Sequence, residues 1–105
     1  MQLSAKSRVR AEHRAEVIKA LAHPSRLLIA ERLEQGEQCV SDLTNFVGAD
    51  TSTVSKHLAL MKAVGLVTVE KRGLQQFYSL ACPCLGSFFD CVDELTRNRL
   101  KRLRR

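Results

Sequence analysis

Residues 48–58, Gly-Ala-Asp-Thr-Ser-Thr-Val-Ser-Lys-His-Leu, constrain the fold of this chain more than any other stretch. Gly48 is suited to end one helix, because glycine tolerates the left-handed conformation that closes a C-terminus. Asp50 is suited to begin the next, because its carboxylate can accept a hydrogen bond from a free backbone N–H. Val54, Leu58 and Met61 follow at helical spacing and mark a buried face. On a wheel of about 100° per residue, Ser52, Ser55, Lys56 and Ala59 point away from that face. The first turns thus expose the hydroxyls of Thr51, Ser52, Thr53 and Ser55, one cation and one small apolar residue. Such a surface fits the DNA major groove: hydroxyls for phosphates or base edges, a cation for phosphate or guanine, and nothing bulky.

The flanks make the pattern specific. Upstream, Ser7 to Leu21 reads as a helix with Val17, Ile18 and Leu21 as its apolar stripe. His23-Pro24 opens a second helix, since proline suits the first helical position. That helix runs from Pro24 to Gln35, with Leu27, Leu28, Ala30 and Leu33 as its expected buried set, and Gly36 stops it. A third helix, Val40 to Phe46, is held by Val40, Leu43, Phe46 and Val47. The fourth, Thr51 to Ala63, completes a helix-turn-helix over residues 40–63.

Downstream, Leu66 to Lys71 alternates and is rich in β-branched residues, and Gln75 to Leu80 is its expected partner. Arg72-Gly73-Leu74 lies between them, so residues 66–80 read as a hairpin with a glycine turn. A basic hairpin tip directly after a recognition helix is a wing, and Lys71 and Arg72 can reach phosphates or a minor groove there. The bland reading is a solvated tip whose charges protect an edge strand from aggregation.

The last segment, from Pro83 or Phe88 to Leu103, is again helical. Phe88, Phe89, Val92, Leu95 and Leu100 give it apolar faces. A winged helix of 105 residues has little core left for such a helix, so its apolar face is expected against a second copy, with residues 7–21 assisting. The expected fold is mainly α with a β-hairpin wing: one dimeric winged helix-turn-helix domain over residues 1–105. The formal net charge of +6 suits an anionic partner. The sequence has no apolar run near the ~20 residues of a membrane span. The polar, mixed-charge N-terminus does not read as a secretory signal, so a cytoplasmic location is expected. An enzyme is not expected: the chain shows no Ser-His-Asp set, phosphate-cradling glycine loop or carboxylate pair placed for a cleft. A protein-interaction module is the remaining alternative to DNA binding.

The chain resembles the ArsR/SmtB family of bacterial winged-helix repressors. The resemblance rests on Lys19-Ala-Leu-Ala-His-Pro-Ser-Arg-Leu-Leu-Ile29, Cys39-Val-Ser-Asp-Leu43, Ser52-Thr-Val-Ser-Lys-His-Leu58, Ala63-Val-Gly-Leu66 and Phe77-Tyr-Ser-Leu80, and covers about residues 10 to 95. It implies a homodimer that sets two recognition helices on double-stranded operator DNA and lets go when an inducer acts. It implies DNA-facing roles for Ser52, Ser55 and Lys56 and a wing at Lys71-Arg72. His57 also matches a common family residue and reads as mainly structural.

The resemblance leaves the inducer open. An arsenic-sensing Cys-Val-Cys-Asp-Leu pattern is broken here, because Ser41 stands at the second thiol position; Cys39 is left as a spectator first, or else a core thiol or one partner of a longer-range pair. None of His13, His23 and His57 lies on the last helix, where a zinc-sensing pattern needs histidine. Helix two holds no cysteine for an oxidant-sensing pair. What remains is Cys82-Pro-Cys84 and Cys91. Three thiolates suit As(III) or a similar soft ion, and the same thiols suit redox or sulfur-species control. If one helix ran from Pro83, Cys84 and Cys91 would share a face but lie about 10 Å apart along the axis. Two arrangements could unite them. In the preferred one, Gly86 breaks the helix, Ser87-Phe-Phe-Asp90 caps it, and a loop carrying Cys82 and Cys84 folds back onto Cys91. In the other, antiparallel helices crossing near Ser87 bring Cys84 of one subunit to Cys91 of the other.

Overall fold

The computed structural model describes residues 4–104. Helix α1 (Ala5–Leu21) begins where Ser4 accepts the Ser7 N–H at 3.1 Å. Helix α2 (Pro24–Leu33) is capped by His23, whose Nδ1 accepts the Ser25 N–H at 3.0 Å. A two-residue strand, β1 (Gln38–Cys39), leads directly into α3 (Val40–Val47). Gly48 then turns the chain at φ 76°, and α4 (Thr51–Ala63) starts at Asp50, which accepts the Thr53 N–H at 2.7 Å. Strands β2 (Val67–Arg72) and β3 (Gln75–Leu80) form the hairpin, and α5 (Leu85–Leu103) closes the described chain.

The core is the junction of α2, α3, α4 and the hairpin. Ile29, Leu43, Val54, Leu58 and Met61 are fully buried in it. The recognition-helix stripe is thus as the sequence pattern predicts. Helix two is rotated from its expected face: Ile29, Ala30 and Leu33 are buried, whereas Leu27 and Leu28 are exposed. Phe46 is also more exposed than expected, and the Arg32 guanidinium lies 5.1 Å from its ring centre as a cation–π contact.

The sheet is antiparallel in the order β1-β3-β2, and β1 was not foreseen. Gln38 pairs with Tyr78 and Cys39 with Phe77. The hairpin turn is tighter than expected. Arg72 belongs to β2 and pairs with Gln75, so Gly73 and Leu74 alone make the turn, with Gly73 at φ 63°. A glycine at the first of two turn positions relieves the left-handed strain.

Helices α1 and α5 join this core at one end only. Only Ala20 and Leu21 of α1 and Leu85 of α5 are buried. Val9, Ile18, Phe88, Val92, Leu95, Leu100 and Leu103 are exposed apolar side chains on those two helices. The radius of gyration is 16.4 Å, against about 13 Å for a compact chain of this length. The excess reflects long terminal helices that the single chain does not cover.

The start of α5 corrects two expectations. Gly86 does not interrupt the helix; it lies within its first turn. Its lack of a side chain leaves room for the Glu34 carboxylate from the end of α2, which a Cβ would strike. Ser87 is likewise inside the helix, so Ser87 and Asp90 form no capping box, and Cys84 occupies the N-cap without a side-chain cap bond.

Candidate nucleic-acid interface and thiol sites

The α4 surface follows from its two ends. Burial of Val54, Leu58 and Met61 turns Thr51, Ser52, Ser55 and Lys56 to solvent, with Thr53 half-buried at the cap. Ser52 donates its hydroxyl to Asp50 at 3.2 Å, which preorganises the first turn and leaves the Ser52 oxygen free to accept. The Thr53 N–H, first, and the hydroxyls of Thr53 and Ser52 hold the Asp50 carboxyl below its ordinary range. The cap is therefore ionised at neutral pH, as a helix N-terminus favours. His57 faces inward and lies 4.6 Å, centre to centre, from the His23 ring. Burial, then the nearby His23 and Arg26, push its pKa down. That fits its reading as a structural residue joining α2 to the recognition helix.

The wing is less simply basic than the sequence suggests. Lys71 is exposed at the tip. Arg72 instead makes a two-pronged pair with Glu37, one arm at 3.0 Å, and a third contact to Glu70 at 2.8 Å. Its guanidinium also lies 4.8 Å from the Phe77 ring centre. These carboxylates raise the Arg72 pKa, and Arg72 in turn lowers that of Glu70. Glu37 escaped the sequence reading, since a lone glutamate between two helices carries no pattern.

The cysteines divide into three places. Cys39 is buried beside β3, with Ser41 Oγ 3.2 Å from its sulfur. Cys82 and Cys84 meet at the root of α5 with their sulfurs 2.9 Å apart. The Cys84 pKa is raised, chiefly by the hydrogen bond it shares with Cys82 and then by the charge of Cys82. Cys91 is exposed two turns further along α5, about 10 Å up the axis from Cys84. The loop does not fold back, so the expected three-cysteine site within one subunit is not assembled. Among the described residues, no three Cys, His, Asp or Glu side chains gather around one point. The reason is the early start of α5, which fixes Cys84 and Cys91 on one rigid rod.

A capped recognition helix, a short third helix before it and a hairpin after it define a winged helix-turn-helix, the fold of DNA-binding regulators rather than enzymes. The chain belongs to the arsR family of bacterial regulatory proteins, whose model matches residues 23–69. It is 34% identical over 85 residues to an uncharacterised helix-turn-helix transcriptional regulator of Methanocaldococcus jannaschii, covering 80% of this chain and 96% of that one. It is 42% identical over 67 residues to a homologue of the cadmium resistance regulatory protein CadC from Staphylococcus aureus, covering 63% and 55%. Among solved structures, a homodimeric winged helix-turn-helix DNA-binding domain from Mycobacterium bovis, a possible ArsR-family regulator, superposes with TM-score 0.80 at 30% identity. That match covers 95% of this chain and 93% of that one. Several curated relatives are longer, and the chain spans about half of their length. No described helix is long and apolar enough to cross a membrane.

Proposed function

We propose that the protein is a cytoplasmic homodimeric repressor that binds operator DNA through Thr51, Ser52, Thr53, Ser55 and Lys56, with the Lys71-Arg72 wing beside them. A thiol-binding metalloid or soft metal, As(III) foremost, releases it through Cys82, Cys84 and Cys91. The observation that carries the DNA reading is the division of α4 into a fully buried apolar stripe and an exposed hydroxyl-and-lysine face. The contact between the Cys82 and Cys84 sulfurs carries the inducer reading.

Two thiols in contact form two of the three bonds that a trivalent ion takes, and the third must come from elsewhere. Cys91 of the same chain is too far along the rod, so a second copy supplies it, with the two α5 helices antiparallel. Three thiols and one arsenous acid give one tris-thiolate and three waters, with no net proton released. A divalent soft cation would instead expel the thiol protons, so its binding would tighten as pH rises. Ligand binding acts where α5 meets Glu34 of α2, and so shifts the dimer frame that sets the spacing of the recognition helices. A two-fold operator accepts one spacing, about one turn of DNA.

The second reading, redox control, draws on the same sulfur contact, since adjacent thiols can close to a disulfide.

Operator binding followed by fluorescence anisotropy under reducing conditions tests the proposal. Lys56→Ala should weaken binding, and arsenite should release the wild type. Cys84→Ser and Cys91→Ser homodimers should bind and not respond. A mixed dimer of those two variants keeps one intersubunit site intact and should recover part of the response. Release of every cysteine variant like wild type would remove the site. Release of the wild type by peroxide but never by arsenite would favour the redox reading.

A further inference from the structure

The two basic residues of the wing do not point the same way. Paired and alternate positions place Glu70, Arg72 and Phe77 on one face of the hairpin, with Cys39 of β1. Val69, Lys71, Gln76 and Tyr78 occupy the other. Tyr78 is buried and Val69 packs on the core, so Lys71 extends the face that meets the helix-turn-helix. Arg72 is on the opposite face, held by two carboxylates and an aromatic ring. Of its partners, Glu70 and Phe77 belong to the hairpin. Glu37 does not: it immediately precedes β1, the strand that runs straight into α3. A fork-to-fork arginine–carboxylate pair fixes angle as well as distance. The Glu37–Arg72 pair therefore ties the tip of the wing to the entry of the helix-turn-helix, across a sheet edge where β1 contributes only two residues.

We propose that Glu37 and Arg72 are positioning residues that set the angle of the wing, and that Lys71 alone is the wing's phosphate contact. The proposal rests on the wing reading given above and refines it. Arg72 does not reach DNA, since reaching it would abandon both carboxylates and leave Glu37 and Glu70 as unpaired negative charges beside the duplex.

The test is the salt dependence of operator binding, because each phosphate neutralised contributes about 0.9 to the slope of log affinity against log salt. Lys71→Ala should lower the slope by about one contact. Arg72→Ala and Glu37→Gln should each weaken binding by about twofold to fivefold, in line with an exposed ion pair, with the slope unchanged. The double variant Glu37→Gln/Arg72→Ala should be no weaker than either single one, and Glu37→Asp should recover part of the loss. A reduced slope in Arg72→Ala, together with tighter binding in Glu37→Gln, would make Arg72 a phosphate contact that Glu37 restrains, and would overturn the proposal alone. Unchanged affinity and slope in both Lys71→Ala and Arg72→Ala would overturn the wing reading itself.

Discussion

The α2–α3–α4–hairpin unit and the two terminal helices are built on opposite terms. In the first, each helix buries its stripe within the chain, and Leu43, Val54, Leu58 and Met61 have no accessible surface. In α1 and α5, helices of 17 and 19 residues, most apolar side chains stay exposed. The helix-turn-helix is stabilised by its own core. The terminal helices gain little from their own chain, and long isolated helices gain most of their stability from packing. The proposed function divides along the same line: its DNA-facing residues belong to the self-sufficient unit, and Cys84 and Cys91 lie at the start and within the second turn of α5.

Substitutions should separate the two regions, and the largest effect belongs to the core. Leu58→Ala removes a fully buried side chain beneath the recognition face, and should cost about 2–5 kcal/mol in urea unfolding. Operator binding should fall with the folded fraction. A loss below about 0.5 kcal/mol, the range of surface substitutions, would mean that α4 is not seated as described.

Val92→Asp should act differently. Val92 is an exposed α5 residue, so the monomer fold should survive while the dimer dissociates in sedimentation. Operator affinity should drop on the order of 100-fold, because the second half-site contact is lost. Phe89 is a poorer probe than the sequence suggests, since it packs partly against its own core. Retention of both the dimer and full affinity in Val92→Asp would place the partner surface elsewhere.

The smallest effect is a pH dependence confined to the first region. His57 is held below its ordinary value of 6.5 by burial, then by His23 and Arg26. The unfolded chain therefore binds the proton more readily than the folded one. This contribution is fully present above about pH 6.5 and is lost as pH falls through the lower folded value. Urea midpoints compared between about pH 7.5 and about pH 5.5 should fall in wild type and fall less in His57→Gln. Parallel profiles would show that His57 contributes nothing to acid sensitivity.

The first region was legible in the sequence because its signals are local. Gly48, Asp50 and the Val54–Leu58–Met61 spacing lie within one turn-helix unit, and the structure places α4 at Thr51–Ala63 as the spacing predicts. The strand partners and the exposed apolar residues of the last helix were legible for the same reason: period and composition are properties of neighbours. The tertiary structure alone decided the features made by distant residues. Glu37 reaches Arg72 across 35 positions, and no periodicity links them. β1 exists only because β3 offers its free edge to two residues. Gly86 reads as a helix breaker by propensity, yet it lies within α5, where its missing side chain makes room for Glu34. The start of α5 at Leu85 puts Cys84 and Cys91 on one axis and keeps them apart. Local sequence specifies where helices and turns form. The contacts between them, which depend on shape and charge brought together from far along the chain, decide which thiols meet.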